Sequence, residues 1–354
     1  MKSNLTISSS TGQYEIFIGQ GFLSSLASDS VLLIDPNIKG LLPQGLNHVI
    51  DIPGTEESKT LVGCEKVILS MRNFGVRRGH SVTAIGGGAI QDVATLSTSL
   101  YMRGVDWNYV PTTLMSMADS CIGGKSSINA GGIKNLVGNF HPPRNILIDP
   151  VFIETLPPEA ITSGLSEAVK ICFARGPEAF STYLASPAAL SPGNNDETVQ
   201  LIQHVLSSKK WFVEIDELDK KERQLLNFGH SFGHAWEAAC GFSVQHGIAV
   251  SIGMLAALNH PESGRSDATT KLKSYCQQIV RPVREQIVLA TESTDWDAFR
   301  VALSSDKKNS SEFLRLILPN SSSELEIIEI PLSDQQLIVA TEAIKLALKE
   351  VING

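Results

Sequence analysis

Short apolar runs recur through the first part of the chain, at residues 14–18, 31–35, 49–52, 82–85, 107–110 and 146–148. Stretches with helical character lie between them. Strands that are apolar on both faces must be covered on both faces, so this pattern implies a mostly parallel sheet with helices packed against it. The run 82–85 carries the most information. It leads directly into Gly86-Gly87-Gly88, and a helix-like segment follows over 89–100. A strand, a glycine turn and a helix N-terminus bring free N–H groups and positive potential to one point, where a pyrophosphate can approach the backbone. The GxGxxG fingerprint is absent, so a tight turn without a ligand stands beside that reading.

Near Thr155-Leu156-Pro157-Pro158 the pattern changes and the chain becomes helix-rich. Residues 190–195 read as a loop, and 314–318 as a late strand or an apolar helix end. The expected plan is an α/β domain over 1–155 and an all-α domain over 156–354, since 354 residues with 42% hydrophobic content are too many for one ordinary core. A net charge of −8 argues against a general nucleic-acid surface or a surface for anionic membranes. No apolar run is long enough to cross a bilayer, and the N-terminus has no signal-like apolar core. Five scattered cysteines without a CxxC pair point to reduced thiols in the cytoplasm.

Two groups of residues carry chemistry. Asn227-Phe228-Gly229-His230-Ser231-Phe232-Gly233-His234 opens an amphipathic helix whose one face can present His230 and His234; His246 follows, and Glu167 lies upstream in a helical stretch. Imidazoles with one carboxylate suit Zn²⁺ with an open position, although HxxxH alone also describes an ordinary helix pair. The second group is cationic. Lys125 follows Gly123-Gly124, Lys134-Asn135 follows Gly131-Gly132, and Lys170 shares a helical face with Glu167. Lys209 and Arg223 flank an acidic stretch, and Lys307-Lys308 follow Asp306. Singly each reads as a solvated cation; together they would suit phosphate and carboxylate groups.

In order along the chain, Gly86–Asp92 (GGGAIQD), Tyr101-Met102-Arg103-Gly104, Val110–Thr113 (VPTT), Asp119–Lys125 (DSCIGGK), Lys134-Asn135 and Asn227–His234 (NFGHSFGH) resemble the 3-dehydroquinate synthases and related sugar-phosphate cyclases over roughly residues 30 to 320. The resemblance implies an N-terminal NAD-binding α/β domain, a C-terminal helical domain for metal and substrate, and a homodimer. It implies that Glu167, His230 and His246 ligate Zn²⁺, with Co²⁺ as an alternative, and that His234 handles protons. Asp119, Lys125, Asn135, Lys170, Lys209, Arg223, Asn227 and Lys307 then fall at the substrate, with Lys308 adjoining the last. Arg103 would reach the phosphate in the partner subunit's site. Asp35, Glu56, Lys59, Gly87, Gly88, Asp92, Thr112, Thr113, Lys134 and Thr155 would contact NAD.

The substrate so implied is a phosphorylated sugar acid, 3-deoxy-D-arabino-heptulosonate 7-phosphate. It would be converted to 3-dehydroquinate by transient oxidation, phosphate elimination and intramolecular aldol closure. Three departures from the family pattern are visible: Gln91 where a glycine is usual, Ala130-Gly131 in place of His-Pro, and Lys221-Glu222-Arg223 in place of Gly-Leu-Arg. They keep a cyclase of another heptulose phosphate, such as sedoheptulose 7-phosphate, as the alternative. A metal-dependent polyol dehydrogenase and a non-enzymatic relative are the more distant ones.

Overall fold

The computed structural model describes residues 3–23, 30–306 and 308–354. It divides into two compact units, one of Met1–Leu156 with Ser191–Leu218, the other of Pro157–Leu190 with Asp219–Gly354.

The first unit is built on a seven-stranded sheet. Its elements are β1 (Ser3–Ser9), β2 (Gly12–Ile18), β3 (Val31–Ile34), β4 (His48–Asp51), α1 (Leu61–Asn73), β5 (Ser81–Gly86), α2 (Gly88–Leu100), β6 (Asp106–Pro111), the small hairpin β7 (Ile128–Ala130) and β8 (Ile133–Val137), and β9 (Asn145–Ile148). The sheet order is β1-β2-β9-β6-β5-β3-β4. All its pairs are parallel except β1 with β2, so the expected parallel sheet is present with one antiparallel edge. The apolar runs are its central strands: all four residues of β3 are buried, and Val82–Gly86 of β5 likewise. From β3 the chain moves outward to β4, then returns to the other side of β3 with β5. The sheet order therefore reverses between β3 and β5, the position where α/β sheets place their ligands.

The chain then supplies α3 (Pro158–Arg175) and α4 (Pro177–Ala185) to the second unit before α5 (Asp196–Ile215) returns to the first. Division at residue 155 thus needs a correction: α5 belongs with the sheet. Its buried face includes Val199, Ile202, Val205, Leu206, Phe212 and Val213, and Glu214 accepts from the Ser8 N–H at 2.8 Å.

The second unit continues with α6 (His230–Ala239), α7 (His246–Asn259), α8 (Asp267–Ile279), α9 (Arg284–Glu292), α10 (Trp296–Ser304), β10 (Phe313–Pro319), β11 (Leu325–Pro331) and α11 (Asp334–Asn353). It is helical but not all-α. The 314–318 run belongs to β10, paired antiparallel with β11 with Leu314 opposite Ile330 and Leu316 opposite Ile328. Alternate burial along β10 puts Leu314, Leu316 and Leu318 into the core. Helix α7 is buried at every position from Gly247 to Ala257, which makes it the central helix of the unit. Among the described residues, no helix is long and apolar enough to cross a membrane.

Candidate functional site

In the first unit the glycine turn stands at the switch point. Gly87 is the N-cap of α2, with no side-chain cap for the first N–H groups of the helix. Asp35 follows β3 and its own N–H donates to the Ile85 carbonyl at 3.1 Å, so the Asp35 backbone and the glycine turn are neighbours. Its carboxylate accepts from the Asn37 N–H at 3.0 Å. Thr112 is buried and its N–H donates to the Gly86 carbonyl; Thr113 packs on Gly87 and hydrogen-bonds Ser116. Thr155 closes the 3-10 turn Pro150–Thr155 through its bond to the Phe152 carbonyl.

Lys59 gathers several of the expected residues. Its ammonium lies 3.0 Å from Asp92, 3.5 Å from Glu56 and 3.3 Å from Asn135 Oδ1, so its three donors face three acceptors. Asn129 donates to Glu56 Oε1 at 2.8 Å, which joins the β7–β8 hairpin carrying Lys134 to the same network. Burial lifts the Asp92 carboxyl to about 6 even though Lys59 opposes the shift.

A second cluster in this unit surrounds the π-helical turn Ser116–Ser120. Lys209, on α5, pairs with Asp119 Oδ1 at 2.6 Å and also donates to the carbonyls of Asp119 and Ile122. Lys209 was expected at a substrate, yet its three donors are matched here by three acceptors on one protein segment. The segment runs on through Gly123-Gly124 to Lys125, which is half-buried. Gln91, noted above only as a departure, clamps the turn: its amide donates to the Ser120 carbonyl and accepts from the Ser120 hydroxyl, both at 2.7 Å. Arg103, which is exposed, ends the turn Tyr101–Arg103, where Met102 and Arg103 both have left-handed backbone (φ 52° and 65°).

The second unit holds the metal-ligand candidates. Glu167 and Lys170 lie one turn apart on α3, both nearly fully buried, and their side chains are ion-paired. His230 and His234 come from α6, and His246 is the first residue of α7. The three imidazoles place ligand atoms within 4.8 Å of one another. Glycines make this possible. A methyl at Gly253 of α7 would run into the Gly229 carbonyl, and one at Gly233 of α6 would lie 2.7 Å from the Ala249 carbonyl oxygen. Helices α6 and α7 therefore touch backbone to backbone, and the Gly247 N–H donates to Ser163 Oγ of α3 at 3.0 Å.

Hydrogen bonds aim the ligand atoms. His230 Nδ1 lies 3.2 Å from the Phe228 carbonyl, which can only accept, so the proton belongs on Nδ1 and Nε2 offers a lone pair. That Nε2 lies 3.8 Å from Glu167 Oε1, and His246 Nε2 lies 3.4 Å from the same oxygen. Glu167 Oε1 is buried and has no hydrogen-bond partner. A buried carboxylate oxygen without a donor, ringed by imidazole nitrogens, fits a divalent cation of the Zn²⁺ type.

The charges agree. Although burial opposes it, Lys170, His246 and His230 hold Glu167 well below the usual carboxylate range. Burial, with Lys170 beside it, pushes His230 down and keeps it neutral. Burial also works against protonation of His246, but its contacts with Glu167 and Glu237 carry it up to about 9. The two carboxylates thus call for positive charge at this ring or on a cation beside it. His234 is the exposed member of the three. Arg223 is buried in the turn Glu222–Asn227, and Asn227 Nδ2 donates to the Gln224 carbonyl. Lys307 lies outside the described residues. Glu237, which the sequence reading passed over, sits seven residues after His230 on α6 and touches His246.

A sheet unit with a glycine turn at its switch point and a helical unit with a buried Glu–His cluster make up the fold of the sugar-phosphate cyclases. The structure superposes on a 2-deoxy-scyllo-inosose synthase solved with carbaglucose-6-phosphate, NAD⁺ and Co²⁺, with TM-score 0.83 and 21% identity over 97% of this chain and 99% of that one. The 2-epi-5-epi-valiolone synthase of Streptomyces hygroscopicus subsp. jinggangensis, solved with NAD⁺ and Zn²⁺, gives TM-score 0.76 at 24% identity over 95% and 97% of the two chains. Within that fold the chain belongs to the 3-dehydroquinate synthase family: the family's N-terminal domain profile matches residues 49–163 and its C-terminal profile residues 164–309. It is 30% identical to the 3-dehydroquinate synthase of Paenarthrobacter aurescens over 96% of this chain and 98% of that protein. With the enzyme of that name from Xanthomonas campestris pv. campestris it shares 36% identity over 78% and 76% of the two chains.

Proposed function

We propose that this chain catalyses the 3-dehydroquinate synthase reaction, converting 3-deoxy-D-arabino-heptulosonate 7-phosphate to 3-dehydroquinate and phosphate. The observation that carries this reading is the buried Glu167 Oε1 facing the Nε2 atoms of His230 and His246, in a chain of that family. Glu167, His230 and His246 would hold Zn²⁺ or Co²⁺. Bound NAD supplies a hydride acceptor that is restored within each turnover, and the bound metal supplies Lewis-acid polarisation of a substrate hydroxyl.

The residues divide the remaining work. In the sheet unit, the uncapped N-terminus of α2 at Gly87 and Gly88 receives the pyrophosphate of NAD, and Asp35 beside it accepts from a ribose hydroxyl. Thr112, Thr113, Lys134 and Thr155 complete that site, and Glu56, Lys59, Asp92 and Asn135 support it through their network. Lys125 offers charge to the phosphate of the substrate, while Lys209 holds Asp119 in place. In the helical unit, Lys170 offsets the negative charge that develops next to Glu167. Arg223 and Asn227 orient the substrate carboxylate. His234, on the exposed side of the cluster, takes and returns protons. We further propose a cytoplasmic homodimer, in keeping with five buried cysteines outside any disulfide, in which the exposed Arg103 would reach the site of a second subunit.

The test is phosphate release by purified protein with NAD⁺ and Zn²⁺. Release from 3-deoxy-D-arabino-heptulosonate 7-phosphate without NADH accumulation, lost on chelation and restored by Zn²⁺ or Co²⁺, is the expected result. Release from sedoheptulose 7-phosphate alone would assign the chain to another cyclase, and steady NADH build-up with a polyol to a dehydrogenase.

A further inference from the structure

The metal-ligand candidates have one neighbour without an assigned role. Glu237 lies on α6, two turns beyond His230, and its side chain is 14% exposed. Its Oε2 is 3.3 Å from His246 Nδ1, while the opposite nitrogen of that ring, Nε2, faces Glu167 Oε1 at 3.4 Å. An ionised carboxylate only accepts, so this contact holds a proton on Nδ1 and leaves Nε2, which faces Glu167, as the nitrogen a cation would take. The Phe228 carbonyl does the same for His230 at 3.2 Å. The two rings are thus oriented alike, by a backbone acceptor in one case and by a side chain in the other. Such an anchor matters for His246, which is the first residue of α7 and whose side chain is 34% exposed. Left unanchored, the ring could rotate about its χ angles and present either nitrogen.

From this geometry we infer that Glu237 is a positioning residue that fixes the tautomer and orientation of His246 for metal binding. The inference rests on the metal site proposed above. Outer acceptors of this kind change metal affinity by about 10–100-fold when removed.

The test measures Zn²⁺ affinity by competition with a chromophoric chelator, and the visible absorption of the Co²⁺-loaded protein. Glu237→Ala is expected to weaken Zn²⁺ binding by about 10–100-fold and to alter the Co²⁺ spectrum. Glu237→Gln retains an acceptor oxygen for the Nδ1–H and should stay within about threefold of the parent, by the same reasoning. Should Glu237→Ala fail to fold, Glu237→Met fills the space without an acceptor and carries the same expectation. Unchanged affinity in the Ala or Met variant overturns the inference, and so does an equal loss in Glu237→Gln, since charge alone would then be responsible. Failure of the parent protein to bind Zn²⁺ or Co²⁺ at all would instead overturn the metal site itself.

Discussion

Gly233→Ala separates two physical effects that predict opposite signs. Gly233 lies inside α6 between His230 and His234. Helix propensity alone favours alanine there by about 1 kcal/mol. The packing says otherwise. The new methyl carbon would sit 2.7 Å from the Ala249 carbonyl oxygen, 3.0 Å from its carbon and 3.2 Å from the Val250 Cα, all backbone atoms of α7. No rotamer change relieves such a contact, so the helices must part by about 0.7 Å to reach the 3.4 Å of ordinary contact. Overpacking of this kind costs roughly 1–3 kcal/mol, which leaves a net loss of about 0–2 kcal/mol after the propensity gain. Separating α6 from α7 also separates His230 from His246, and sites of this type tolerate only about 0.5 Å of displacement. Zn²⁺ affinity should therefore fall by about tenfold or more, with the ligands themselves untouched. Urea unfolding of the chelated protein reads the first quantity, and chelator competition reads the second. A variant that is more stable than the parent and binds Zn²⁺ equally well would refute the claim that backbone contact between these helices sets the geometry.

Two further perturbations probe the sheet unit. Lys209→Met leaves the Asp119 carboxylate without its cation and takes one donor from each of the Asp119 and Ile122 carbonyls; a loss of about 3 kcal/mol in unfolding free energy is expected, as for other broken buried pairs, and less than about 1 kcal/mol would mean that Lys209 does not hold the 116–122 segment. Asp92, at about 6, takes up a proton in the folded chain at a higher pH than its ordinary value of 3.8. Its contribution to stability therefore rises as pH falls through about 6, and is least favourable above that pH. Relative to Asp92→Asn, the parent should gain about 1 kcal/mol on going from pH 7 to pH 5, measured by urea unfolding at each pH; equal pH dependence in the two proteins would show that Asp92 titrates normally.

The order of motifs and the short apolar runs were enough to read a parallel α/β unit followed by a helical one, because period and run length are local properties of a chain. The HxxxH spacing put His230 and His234 on one helical face for the same reason, and Lys170 on the same face as Glu167. The hairpin β10–β11 was ambiguous, since an apolar run such as 314–318 does not say whether its partner is a neighbouring strand or a neighbouring helix. Only the fold assigned α5 to the sheet: amphipathicity declares that one face is buried, not what buries it. Only the fold showed that Lys59 and Lys209 each meet three acceptors, as all of those partners except Glu56 lie far apart in sequence. Gln91 likewise became intelligible once Ser120 stood within reach of its amide. The tertiary structure also assembled the candidate metal cluster. Glu167, His230 and His246 come from three helices, and close approach at Gly233, Gly247 and Gly253 brings them together while Glu237 orients one ring. Residue type supplied the ligand chemistry; the distances between helices, which no local pattern encodes, decided which lone pairs face Glu167.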